Sequence, residues 1–348
     1  MKQLSLLVLF ILTVVQPIFS QKTYDIKTIA FYNLENLFDI VDDTLKLDES
    51  SPIMAIKENR AAIYQQKLNN MAKVLSEIGT DEAKNSPVII GVAEIENYGV
   101  LEDLVNTSFL KDKQYGIIHY DSPDIRGIDV GFLYQTNHFK PIYHEAFELR
   151  LWDNEGYRIY TRDQLLVSGY LGDELIHIIL NHWPSRRGGE EKSRPNREKA
   201  AFLNTQIIAK IKETDPNPKI IIMGDLNDDP NNSSLKNILK TKGKKSDIVD
   251  GDIYNPMEEM FKRGQNTLAY RDNINLFDQI MFTSPLLTTT KDYSTYKMYK
   301  TAIFKPQYLT TQTGKYKGYP FRSFGNGGFT GGYSDHYPVY LYLIKEVF

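Results

Sequence analysis

The chain has 348 residues, 41% hydrophobic and 12% aromatic, with 41 basic side chains against 44 acidic ones. That composition is globular, and a formal charge of −3 excludes a protein that coats nucleic acid through global basicity. Cysteine is absent, which rules out disulfides, a thiol nucleophile and a thiolate metal site.

Lys2 precedes an almost wholly apolar run over residues 4–15, and Pro17-Ile18-Phe19-Ser20 ends in a small residue. This is the layout of a secretory signal peptide, cleaved after Ser20, with an N-terminal membrane anchor as the alternative. The run falls short of the roughly 20 residues that span a bilayer. No later stretch is apolar enough to span, so stable membrane insertion is not expected. Removing residues 1–20 leaves 40 basic residues against 44 acidic ones, a formal −4. Export without a lipoprotein cysteine predicts a periplasmic or secreted monomer.

A strand pattern opens the remaining chain, with Ile26, Thr28, Ala30 and Tyr32 alternating with Lys27, Ile29 and Phe31 before Asn33-Leu34-Glu35-Asn36. Residues 42–52 read as a loop. Apolar positions Tyr64, Leu68, Met71, Val74, Leu75 and Ile78 recur at three and four, predicting an amphipathic helix over 58–78 closed by Gly79. Residues 87–93 are nearly all apolar, the mark of a strand buried on both faces, and they end at Glu94. Strand-like segments follow near 115–120, 128–135, 139–149, 158–169 and 174–181. A helix is expected over 195–212, a buried strand over 219–223, and final strands near 275–283 and 337–344. The stretch 284–332 reads as loops and short elements. Strands and helices interleave throughout, which favours one α/β domain over residues 21–348.

Polar residues sit where apolar strands end: Asn33, Glu94, His182, Asp225 and Asn227. In α/β architectures such strand ends converge on one ligand-binding crevice. Glu94 is either a hard-cation ligand or the buried partner of an Arg or Lys; Mg²⁺ needs only one or two carboxylates. In Gly224-Asp225-Leu226-Asn227 the Asp and Asn face one side, where they can orient a water and bind a phosphate oxygen; an Asx-rich turn is the alternative. After His182 come Ser185, Arg186 and Arg187, candidates to hold phosphate beside an imidazole. Asp335 and His336 are adjacent on an extended chain and point apart, so each needs its own partner. Asp278 stands in an otherwise apolar strand, where a buried carboxylate requires a donor such as an imidazole.

Together these motifs resemble the endonuclease/exonuclease/phosphatase superfamily, deoxyribonuclease I-like proteins among them. The resemblance rests on Asn33-Leu34-Glu35-Asn36, Ala93-Glu94, Gly224-Asp225-Leu226-Asn227, Phe277-Asp278-Gln279-Ile280 and Ser334-Asp335-His336, in family order. It implies a four-layer α-β-β-α sandwich with two packed mixed β-sheets. It also implies Mg²⁺ (or Mn²⁺) on Glu94, with Asn33, Glu35 and Asp335 close by. Asp225 or His336 would activate water, Asn227 would bind phosphate, and Asp278 would orient His336. His182 matches a position where deoxyribonuclease I-like members carry His and exonuclease III-type members Tyr, which speaks against abasic-site repair. The stretch 121–129 resembles secreted bacterial members, adding Arg126 and Asp129 as candidates, with a surface ion pair as the alternative.

The expected activity is therefore a metal-dependent phosphodiesterase or nuclease. Arg186, Arg187, Lys192, Arg194 and Arg197, with Tyr/Lys alternation over 291–322, favour a nucleic acid substrate. A phospholipid or sphingolipid head group, a small phosphomonoester, and a catalytically silent phosphate-binding module are the alternatives.

Overall fold

Along the first strand, β1 (Thr23–Leu37), alternate side chains enter different cores. Ile29 and Phe31 join one buried cluster while Ala30 and Tyr32 join another, because successive strand residues face opposite ways. The computed structural model describes residues 22–288 and 290–347, so the expected leader over 1–20 lies outside the described residues.

Eleven further strands complete two main sheets. They are β2 (Ile89–Ile95), β3 (Tyr115–His119), β4 (Asp129–Gln135), β5 (Phe139–Phe147), β6 (Gln164–Leu171) and β7 (Glu174–His182). The rest are β8 (Ile220–Asp225), β9 (Ile253–Tyr254), β10 (Asp278–Thr283), β11 (Lys297–Ile303) and β12 (Val339–Val347). The first sheet runs β11-β12-β1-β2-β4-β3 and the second β9-β10-β8-β7-β6-β5. Each is antiparallel except at its centre, where β1 lies parallel to β2 and β7 parallel to β8. The two sheets are thus built alike. In each, two central strands bring their carboxyl ends to the same edge, and antiparallel neighbours begin there.

Three apolar layers hold four structural layers together. Phe31, Ile89 and Phe132 of the first sheet meet Leu180, Met223 and Ile280 of the second. The outer face of the first sheet packs on α1 (Arg60–Glu77) and α2 (Tyr98–Val105) through Leu68, Met71, Leu75 and Leu104. The outer face of the second packs on α3 (Glu190–Lys212) through Ala200, Ile207 and Ile211. This is the α-β-β-α sandwich.

Four details differ from the sequence expectation. Helix α3 starts at Glu190 rather than near Pro195. The glutamates at 190 and 191 suit the positive helix end, and Pro195, lacking an N–H, costs one early bond without ending the helix. Helix α2, which the sequence expectation lacked, is capped by Asn97, whose side chain accepts from Val100 N at 3.0 Å. Strand β11 lies within the stretch read as loops and short elements, because an edge strand with exposed Tyr299 and Lys300 shows no apolar run. The segment 158–169 is two elements, a ribbon of Arg158–Ile159 with Leu151–Trp152 and then β6, and Arg162 occupies the break.

Candidate functional site

The carboxyl ends of the two central strand pairs meet along the seam between the sheets. At the end of β1, Oδ1 of Asn33 accepts from Glu35 N at 2.9 Å, and Glu35 and Asn36 take positive φ of 47° and 52°. At the end of β8, Oδ1 of Asp225 accepts from Asn227 N at 3.0 Å, and Asn227 has a φ of 49°. The same device, an Asx side chain bonding two residues on, turns both strands out of their sheets. Glu94, closing β2, is also left-handed (φ 58°), and its Oε2 accepts from Asn36 N at 3.0 Å. Left-handed backbone at non-glycine residues costs on the order of 1–3 kcal/mol each, and such positions cluster at active sites.

These turns converge four polar groups from two sheets. Nδ2 of Asn33 donates to Glu94 Oε1 at 3.2 Å and to Asp225 Oδ2 at 3.1 Å. His182 Nε2 stands 3.9 Å from Glu94 Oε1 and 3.7 Å from Asp225 Oδ2. Across the site, His336 Nδ1 lies 2.7 Å from Asp278 Oδ2, and its Nε2 is 4.0 Å from Asp225 Oδ2. Ser334 Oγ fixes the approach, donating to the Asn33 carbonyl at 2.7 Å and accepting from His336 N at 3.1 Å. Asn33, Asp225, Asp278 and both histidines are buried; the Glu94 carboxylate, at 21% exposure, faces the opening.

Burial and mutual charge set the protonation pattern. Burial pushes the Asp225 carboxyl up to about 7, with Asp278 and Glu94 adding to the rise and His336 opposing it. Burial works against the His336 cation, yet Asp278 and Asp225 together hold it well above the ordinary imidazole value. His182 goes the other way. Burial, with Arg162, Arg126 and His336 nearby, keeps it well below that value, and so neutral.

Glu35 stands outside this group, while Asp335 edges it, with Oδ1 3.9 Å from His336 Nε2. The Glu35 oxygens accept from Arg322 Nε at 3.0 Å and Ser323 N at 2.6 Å, while Arg322 Nη2 also reaches Asp335 Oδ2 at 3.3 Å. Buried Lys67 donates to the Glu35 and Asn36 carbonyls, bracing the turn beneath. Burial and Asp335 raise the Glu35 carboxyl to about 7 against Lys67 and Arg322.

The cationic rim divides. Arg186 is committed internally, donating to Asn227 O at 2.9 Å and to Asp228, Asp229 and Asn232. Arg197 is wholly buried against Asp228, and Arg194 pairs with Glu190. Ser185 and Arg187 are exposed beside them. On the opposite wall, Asp124 takes both Arg126, 44% exposed, and buried Arg162. Arg162 Nη2 also donates to the Trp183 carbonyl at 2.5 Å, and Asn227 Nδ2 donates to the same oxygen at 3.0 Å. Sequence reading did not single out Arg162, Arg322 or Lys67. Arg162 does stand directly before the apolar run of β6, and Lys67 interrupts the buried stripe of α1.

The carboxylates here, Glu94 and Asp225, suit a hard divalent cation. Glu94, His182 and Asp225 each offer an atom within 4.8 Å of the others', as do Asp225, Asp278 and His336. A model of the Endonuclease/Exonuclease/phosphatase family matches residues 28–345. The chain belongs to that family. This family member is a phosphoric ester hydrolase on the deoxyribonuclease I-like fold. Similar solved structures include a family protein from Bacteroides thetaiotaomicron, at 15% identity and a TM-score of 0.53, covering 94% of this chain and all of that one. A mannosyl-6-phosphatase from the same organism gives 15%, 0.51, 92% and 100%. A humanized D. rerio TDP2 gives 13%, 0.51, 92% and 99%. Identity this low carries the fold alone. No curated protein sequence matches the chain.

Proposed function

We propose that the chain is an exported, divalent-cation-dependent phosphodiesterase that cleaves nucleic acid by water attack on phosphorus. The observation that carries the chemistry is the Asp278–His336–Asp225 array facing Glu94 across the seam. Export rests on the leader-like residues 1–20.

Glu94, with Asn33 beside it, is the residue to hold Mg²⁺ or Mn²⁺, since its exposed carboxylate leaves room for water and phosphate on the ion. The ion, when bound, supplies Lewis-acid stabilisation of phosphoryl oxygens. Asp225, poised near neutrality, takes the proton of the attacking water through Oδ2. His336, kept cationic by Asp278, sits beside that oxygen and meets negative charge developing on the phosphoryl group. For His182, Nδ1 is buried without a partner. A proton there would be an orphaned donor, so the neutral ring carries it on Nε2 and donates to a phosphoryl oxygen. That makes His182 a donor and not a cation ligand. Asn227, tethered through Nδ2 to Trp183 O, keeps one amide hydrogen for phosphate.

A nucleic acid substrate is supported by exposed Arg187 and by Arg126 and Arg322, which stay exposed though paired with Asp124 and with Glu35 and Asp335. It is also supported by the hairpin of Leu268–Tyr270 with Asn273–Asn275 next to His336, whose Tyr270 is 61% exposed beside Arg271. TDP2 appears among structures of this fold, and so does a mannosyl-6-phosphatase. The internal pairing of Arg186, Arg194 and Arg197 narrows the basic surface and favours a sugar phosphate as the second reading. Single-stranded DNA, plasmid DNA, RNA, sphingomyelin and mannose 6-phosphate, each incubated with protein and Mg²⁺, decide between them. Turnover of mannose 6-phosphate with every polynucleotide intact would reject the nuclease reading.

A further inference from the structure

A second group of carboxylates stands in the loop that follows β1, which carries Asp39, Asp42, Asp43, Asp48 and Glu49 within eleven residues. Asp42, Asp48 and Glu49 each offer an oxygen within 4.8 Å of the others'. Three like charges so close repel strongly unless a cation sits among them. Among the described residues, no Lys, Arg or His nitrogen lies within 4.0 Å of any of the three. Lys46, inside the same loop, turns away and donates to the carbonyls of Ser122 and Asp124 at 2.9 and 3.3 Å.

Asp48 provides the independent observation. It is 1% exposed, and its Oδ2 accepts from Asp43 N at 2.9 Å. Its Oδ1 is sealed from solvent and has no hydrogen-bond partner. A buried carboxylate oxygen without a donor is costly, and a native structure that tolerates one normally supplies a proton or a cation. A shared proton relieves one pair of carboxylates; it leaves the third uncompensated.

We propose that Asp42, Asp48 and Glu49 form a calcium site separate from the catalytic seam. Oxygen donors alone suit a hard cation, and no imidazole or thiol is present to favour zinc. An irregular loop accommodates the variable coordination of Ca²⁺, about 6–8 oxygens, more readily than the near-ideal octahedron of Mg²⁺. Carbonyl oxygens and water complete the shell. The ion's role follows from what the loop holds. Leu47 N donates to Ile125 O at 2.7 Å, Lys46 clamps the 122–124 carbonyls, and Phe38 and Ile53 pack with Ile128 and Phe324. Calcium therefore orders the wall that carries Asp124 and Arg126 without touching the seam.

The test is calorimetric titration of Ca²⁺ alone into purified Glu94→Gln protein, in which the seam can no longer compete. One Ca²⁺ per chain is expected. Asp48→Asn in that background should weaken it by about tenfold or more, since ligand charge sets affinity in such sites. The exposed pair Asp42→Asn/Glu49→Gln should do the same, and it decides the matter if Asp48→Asn does not fold. Calcium should also slow tryptic cleavage after Lys46 in the parent and not in the pair variant. A Glu94→Gln protein that takes up no Ca²⁺, or a pair variant that binds it as tightly as its parent, overturns the proposal. Neither result would bear on the phosphoester chemistry.

Discussion

Nδ1 of His336 and Oδ2 of Asp278 lie 2.7 Å apart, and the two residues come from different sheets. His336 belongs to the loop entering β12 of the first sheet, and Asp278 opens β10 of the second. Asn33 and Asp225, 3.1 Å apart, bridge the same seam from the central strands. The site is thus an inter-sheet contact made of polar groups, and its geometry depends on how the sheets pack.

Asp278→Asn should fold, because it keeps the side chain's shape, but it removes the charge that holds His336 cationic. The kcat should fall by about 10²–10⁴ with KM little changed, the usual range for a mispositioned acid–base group. A ¹H–¹⁵N titration should show His336 losing its proton at lower pH than in the parent. An unchanged His336 titration would count against the pairing.

Stability of the metal-free protein should depend on pH with a definite sign. Asp225 and Glu35 are both raised to about 7, so each binds its proton more tightly in the folded state than in the unfolded one. Their contribution is fully present below the ordinary carboxylate range and is lost as pH rises through about 7. His336, also raised, acts in the same direction above its ordinary value. His182, held low, stabilises above that value and loses this only on further acidification. From the ordinary carboxylate range up to about pH 7 the Tm should therefore fall, most steeply between about pH 6.5 and 7 where His182 no longer opposes it, and Asp225→Asn should flatten the slope. A Tm that rises across this window would contradict the assignment. Mg²⁺ should raise the Tm more at the alkaline end, where its ligand carboxylates are ionised.

Gly224 precedes Asp225 with a φ of 155°, and a Cβ there would meet the Asn181 carbonyl oxygen at 2.1 Å. The obstacle is backbone of the parallel neighbour β7, which cannot rotate away. Gly224→Ala should destabilise the protein by roughly 1–3 kcal/mol or more and displace Asp225. Urea unfolding checks this, and an unchanged midpoint would show that the strands can part.

Arg162→Met leaves Asp124 with Arg126 alone and frees the Trp183 carbonyl that also anchors Asn227. Breaking a buried ion pair from one side costs about 3–5 kcal/mol. If Arg162 positions Asn227, the variant should also lose kcat at temperatures where it is fully folded. Arg162→Lys should restore part of the stability and less of the rate, since an ammonium cannot span Asp124 and Trp183 O in the same fork.

The sequence is most readable where local chemistry repeats a pattern. Apolar runs ending in Glu94, Asp225 and His182 marked the strand ends, because a buried parallel strand needs continuous apolar residues. The partners of those residues were harder to see. Arg322 follows Glu35 by 287 positions and Arg162 precedes Trp183 by 21, with no spacing that links them. Arg186 shows the opposite difficulty. An Arg in a glycine-flanked loop reads as a free cation, and only three dimensions reveal Asp228, Asp229 and Asn232 around it. Asp228 and Asp229 lie in the stretch for which sequence alone offers an Asx-rich turn as the alternative reading. Edge strand β11 carries no apolar run because Met298 alone among its side chains is buried.

Carboxylates and imidazoles on the inter-sheet seam are proposed to hydrolyse a phosphoester with a divalent cation at Glu94. The direct measurement is the initial rate on bis(p-nitrophenyl) phosphate, for wild-type and Glu94→Gln protein, in chelator and then in excess Mg²⁺. The account predicts turnover only for the wild type with Mg²⁺, at least about 10²-fold above the variant. An undiminished rate in chelator, or a Glu94→Gln protein that matches the wild type in Mg²⁺, would contradict it.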